Sequence, residues 1–135
     1  MCAPQGAARR VVAAVTDDLQ PRIRAIFPGC DVRFVRSGTE LVRALDEARC
    51  EMMVVQVHFN ESSAAAALMC VLAREESFPV VCVRDVPDAK PAYAALNALR
   101  IALGGIVARA FIDLVEHRDD EAGNARVRAM LEPLL

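Results

Sequence analysis

Short apolar runs alternate along this chain with longer stretches of helical period. Val11-Val12-Ala13-Ala14-Val15 is apolar on both parities, the pattern of a strand buried on both faces. Asp17-Asp18 then open a helical stretch in which Leu19, Ile23, Ile26 and Phe27 share one side, and Pro28-Gly29 stops it. Asp31 to Arg36 alternates, with Val32, Phe34 and Arg36 on one face and Arg33 and Val35 on the other, which predicts a more exposed strand. Ser37 is placed to cap the next helix, with Glu40 at the capping-box position and Leu41, Val42, Leu45 and Ala48 as the apolar stripe.

The second half repeats the alternation. Met52 to Val57 predicts a third strand, and a long helix is expected from Asn60 or Ser62 through the alanine run to Glu76. Pro79 to Val83 predicts a fourth strand. After the loop from Asp85 to Pro91, a helix carries Tyr93, Leu96, Leu99 and Ile101. Gly104-Gly105 breaks it, Ile106-Val107-Ala108 reads as the fifth strand, and one or two helices follow, with a break near Asp119 to Asn124. Strands alternating with helices require right-handed crossovers, a parallel sheet and helices on both faces. The expected organisation is a flexible tail over residues 1–8 and a single domain over 9–135.

Composition narrows the function. The chain has 135 residues, 55% hydrophobic and 25% charged, enough for a substantial core and against disorder. A net charge of -2 gives no electrostatic reason to expect nucleic acid or an anionic membrane. No apolar run approaches the roughly 18 residues needed to cross a bilayer, and the first eight residues lack the pattern of a secretory signal. The five cysteines (Cys2, Cys30, Cys50, Cys70 and Cys82) are odd in number and have no CxxC spacing. They suit reduced thiols in a cytoplasmic protein better than a disulfide framework or a zinc site. The turn Val15-Thr16-Asp17-Asp18-Leu19 has no glycine, so a dinucleotide fingerprint is absent, and its two acids repel a phosphate. The scattered arginines, Arg9-Arg10, Arg22, Arg24, Arg33 and Arg36, are interleaved with acids and read as solvated faces.

Several local features, in order, resemble the response-regulator receiver domain over residues 9–117. Asp17-Asp18 follow the first strand, where receivers have an acidic pair for magnesium. Ser37-Gly38 follows the second. Glu51-Met52-Met53-Val54-Val55-Gln56 matches the receiver run that ends in the phosphorylated aspartate. Arg84 falls near the receiver's threonine or serine, and Arg109-Ala110-Phe111 falls where receivers have lysine, a cis-proline and phenylalanine. The resemblance implies a flavodoxin-like, three-layer α/β/α sandwich with a five-stranded parallel sheet of order 2-1-3-4-5. The departures are chemical. Gln56 stands at the phosphoacceptor position and is no carboxylate nucleophile. Arg84 replaces a small hydroxyl side chain. Arg109 keeps the lysine's charge on a larger fork, and Ala110 disfavours a cis bond.

In an open parallel sheet, ligands bind beyond the carboxyl ends of the strands. Asp17, Asp18, Gln56, His58, Asn60, Glu61, Arg84 and Arg109 are expected near that edge, and four chemistries compete for them. The edge neutralises itself, with Arg109 or Arg84 on Asp17. Or the two arginines hold a small anion, with Gln56 and Asn60 as donors. Or Asp17 or Asp18 joins His58 and Glu61 around a metal, which the nearby arginines oppose. Or His58, Glu61 and Ser62 form a hydrolytic set, which lacks the usual nucleophile turn. The reading carried forward is a non-phosphorylatable pseudo-receiver acting as a protein–protein interaction module in bacterial signal transduction, with no cofactor, no metal and no enzymatic activity. Its alternative is a sensor of small anions at the carboxyl edge. Resemblance places the partner surface over residues 89–116, with a homodimer as one form of such contact.

Overall fold

The computed structural model describes residues 9–56, 58–59, 62–63, 78–84 and 110–135, with only the backbone described at 58, 59, 62, 63, 110 and 111. Five parallel strands form one sheet: β1 (Arg10–Ala14), β2 (Asp31–Val35), β3 (Met52–Gln56), β4 (Val80–Arg84) and β5 (Ala110–Asp113). Their spatial order is β2-β1-β3-β4-β5, the predicted 2-1-3-4-5. Register is continuous across the centre, with Val11 beside Met52, Val54 beside Val81 and Arg84 beside Asp113.

The described helices are α1 (Gln20–Ile26), α2 (Gly38–Glu47) and α3 (Glu121–Leu131), with short 3-10 turns at Asp17–Leu19, Leu114–Glu116 and Glu132–Leu134. The apolar runs bury where their pattern requires. Val11 to Val15 are all fully buried, as are Met52, Met53 and Val55. One core cluster joins alternate strand residues (Val11, Ala13, Met52, Val54, Val81, Val83, Ile112) to Ile23, Ile26 and Phe27 of the α1 segment and to Val127 and Leu131 of α3. Each fully buried large side chain in it contributes about 1.5–3 kcal/mol relative to exposure. The other parity of β1 meets α2: Arg10, on the side of Val12 and Ala14, donates from Nη2 to the Ala44 carbonyl at 3.0 Å. Helices therefore cover both faces, giving three layers.

Local signals explain the ends of these elements. Ser37 caps α2 by accepting from the Glu40 N–H at 3.2 Å, as its position predicted. Gly29 turns at φ 81°, a conformation costly for other residues, and the chain then enters β2. The fifth strand is described over Ala110–Asp113, and the expected strand Ile106 to Ala108 lies outside the described residues. Ser62–Ser63 pairs antiparallel with His58–Phe59 in a short hairpin, so no helix begins at Ser62.

Candidate functional site at the carboxyl edge of the sheet

The carboxyl ends of the strands bring together Thr16, Asp17 and Asp18 after β1, Gln56 at the end of β3, Arg84 at the end of β4 and Asp113 at the end of β5. Gln56 is 5% exposed, deep for a polar side chain. Its Oε1 accepts from the Thr16 backbone N–H at 2.7 Å. That N–H lies two residues past the end of β1, and Gln56 satisfies it where water has little access. The neighbouring Thr16 hydroxyl is buried and has no partner among the described residues.

The acidic pair is more open. Asp17 and Asp18 lie in the 3-10 turn before α1, and both are exposed. Asp17 pairs with Arg36 at 3.0 Å and accepts from Gln20 Nε2 at 3.3 Å. An ion pair so exposed contributes about 0–1 kcal/mol.

Among the described residues, Arg84 makes the shortest ion pair of the edge. Its Nε donates to Asp113 Oδ1 at 3.2 Å and its Nη2 to Oδ2 at 2.5 Å, with side-chain exposures of 16% and 18%. This two-pronged geometry is the one a guanidinium makes best. Hydrogen bonding from Arg84 holds the Asp113 carboxyl below its ordinary pKa, with the Val115 N–H adding to the effect and burial opposing it.

These contacts correct the expected pairing. Asp17 is met by Arg36, and Arg84 is met by Asp113, its cross-strand neighbour in the sheet. The physical reason is the position of β5. Because that strand runs to Asp113, its carboxyl end carries an acid where the resemblance implied a base. Arg109 precedes β5 in the chain and lies outside the described residues, as do Asn60 and Glu61. His58 sits in the hairpin, its backbone paired with Ser63. Among the described residues, no three histidine, cysteine or acidic side chains come together to hold a metal. Asp113 was missed by sequence reasoning, and its signal was an acid closing the short run Ala110-Phe111-Ile112.

No protein-family model matches this chain, and no curated protein matches it in sequence. Solved structures do match. The receiver domain of a sensor histidine kinase from Pseudomonas aeruginosa, described with a magnesium ion coordinated in its active-site cleft, superposes with a TM-score of 0.67 at 15% identity, covering 95% of this chain and 98% of that one. The response regulator TrrA from Thermotoga maritima, in complex with magnesium and beryllium fluoride, gives 0.64 at 10% identity, with 94% and 99% covered. Full-length FixJ from B. japonicum gives 0.68 at 17%, with 94% of this chain and 57% of FixJ covered. The chain has the receiver fold. Within that receiver-like domain, the described carboxyl edge carries a glutamine at the end of the third strand and an arginine–aspartate pair across the fourth and fifth. Among the described residues, no helix is long and apolar enough to cross a membrane.

Proposed function

We propose that this receiver-like domain serves signal transduction as an interaction module that takes no phosphoryl group at the usual position. The observation that carries the reading is Gln56. It is buried at the end of β3, and its amide oxygen is committed to the Thr16 N–H at 2.7 Å. An amide in that place offers no carboxylate to form an acyl phosphate. The surroundings support the same reading. Asp113 places negative charge at the end of β5, where an incoming phosphoryl group would need positive charge, and it occupies both prongs of Arg84. A sensor of small anions would use Arg84 to hold its ligand, and that fork is on Asp113 instead. The protein then offers one conformation of its surface to a protein partner rather than two conformations set by phosphorylation.

Beryllium fluoride with magnesium, a phosphoryl mimic found in the TrrA complex, gives a direct test. Amide spectra of the full chain are expected to show no saturable shift at Thr16, Asp17, Val83 or Arg84. A saturable, magnesium-dependent shift at those amides would overturn the reading. Partner capture is expected to be the same before and after treatment with a small-molecule phosphodonor.

A further inference from the structure

Arg22, on α1, is buried, only 9% exposed, and its guanidinium gathers acceptors from well beyond its own helix. Nη1 donates to the Leu114 carbonyl at 3.2 Å, and Nη2 to the His117 and Arg118 carbonyls at 2.7 and 3.2 Å. Nε donates to Asn124 Oδ1 at 2.9 Å, and Asn124 Nδ2 donates on to Asp119 at 3.0 Å. Asp119 also lies 3.9 Å from Arg22 Nε. One side chain thus holds the whole connection between β5 and α3. Every donor it uses is charged, and a lysine in its place has no planar fork to meet acceptors on several sides.

That connection starts at the carboxyl edge. Asp113, paired with Arg84, also accepts from the Val115 N–H at 3.1 Å, and Leu114 between them gives its carbonyl to Arg22. At the far end, a Cβ on Gly123 would sit 1.9 Å from the Arg118 carbonyl oxygen, so α3 is seated directly on the same backbone. From the other direction, Arg128 of α3 donates to the Ile26 and Ala25 carbonyls at 2.9 and 2.8 Å, satisfying the last turn of α1. The two helices hold each other through reciprocal arginines, and residues 114–118 lie between the edge and that pair.

We propose that Arg22 couples the carboxyl edge of the sheet to α3. A change at the Arg84–Asp113 pair shifts the backbone of residues 114–118, moves the guanidinium that holds it, and reaches Asn124 in the first turn of α3. Arg22 is a positioning residue in this device, and the coupling is independent of whether the edge takes a phosphoryl group.

The test is amide hydrogen exchange on the full chain, for wild type, Asp113→Asn, Arg22→Lys and the double variant. Protection at Asn124 to Val127 is read against Leu41 to Leu45 of α2, which pack on the opposite face and report global opening. Asp113→Asn is expected to speed relative exchange in α3 at least about twofold, the lower end of coupling within one hydrogen-bonded network. In the Arg22→Lys background the same substitution is expected to have no relative effect. An equal factor in both backgrounds would mean that Arg22 supports stability alone, and would overturn the proposal. So would an α3 that ignores Asp113→Asn in the wild-type background. If Arg22→Lys fails to fold, Asn124→Ser removes the guanidinium's contact with α3, leaves its three carbonyls, and is read by the same criterion.

Discussion

Asp113→Asn removes one charge from the carboxyl edge while nearly preserving the side chain's shape. In the folded chain, the carboxylate accepts from Arg84 at 3.2 and 2.5 Å and from the Val115 N–H at 3.1 Å. An asparagine offers one oxygen to those three donors and turns its own amino group toward at least one of them. Hydrogen bonds to charged groups contribute about 1.5–3 kcal/mol, and the guanidinium left behind is only 16% exposed. The expected loss at neutral pH is about 2–3 kcal/mol, which lowers Tm by roughly 6–12 °C in a domain of this size. Its pH dependence follows from the shift at Asp113, whose carboxyl lies below its ordinary 3.8 when folded, chiefly through Arg84. A depressed folded-state pKa contributes stability that is complete above the ordinary value and is lost as pH falls through the lower one. Urea melts at about pH 6 are therefore expected to separate wild type from variant, and the gap is expected to narrow progressively as pH falls below 3.8. A difference below about 0.5 kcal/mol at neutral pH would refute the partly buried pair, since that is the range of a screened surface contact. A difference that persists undiminished in acid would show that ionisation of Asp113 is not its source. Replacing both partners, Arg84→Met with Asp113→Leu, is expected to fall within about 1 kcal/mol of wild type, because both desolvation costs disappear with the attraction.

Other substitutions test separate parts of the account. Gly123→Ala places a methyl 1.9 Å from the Arg118 carbonyl oxygen, and a loss of about 3 kcal/mol or more is expected in urea melts. Ser37→Ala removes the cap of α2 and is expected to cost about 1 kcal/mol, with Ser37→Asp restoring most of it. Burial pushes the Cys30 thiol above its ordinary pKa, although Arg9 pulls it down, so alkylation near neutral pH is expected to be slower than for free cysteine. An alkylation rate equal to that of free cysteine would contradict the partial burial of Cys30.

The sheet was legible where burial on both faces left unbroken apolar runs. Val11 to Val15, Met52 to Val55 and Val80 to Val83 are such runs, and the strands lie on them within a residue. The fifth strand was not legible by that rule. Ile106-Val107-Ala108, the more apolar run, lies outside the described residues, and the described strand runs from Ala110 to Asp113. A short edge strand needs few apolar positions, and composition cannot rank two neighbouring windows of that length. Sequence reading therefore places Arg109, which lies outside the described residues, at this edge and passes over Asp113, on which the described strand ends. Arginine roles were also hidden. Arg22 looked like part of a solvated face, yet it is buried against Asn124, 102 residues away in sequence. Periodicity reports which face of an element is covered, and not which distant carbonyls a long side chain reaches. Gln56 was legible for the opposite reason. A polar residue closing a fully apolar strand must meet a partner at the sheet's edge, and the Thr16 N–H is that partner.

Phosphoryl uptake by the wild-type chain separates an interaction module from a working receiver. The wild-type chain, incubated with magnesium and acetyl phosphate, is followed by intact mass together with the acid and base lability of any adduct. The account predicts that the mass stays unchanged over times in which a receiver with an aspartate at this position is labelled. An acyl-phosphate adduct on the wild-type chain, at Asp17, Asp18 or any other acid of the edge, would contradict it.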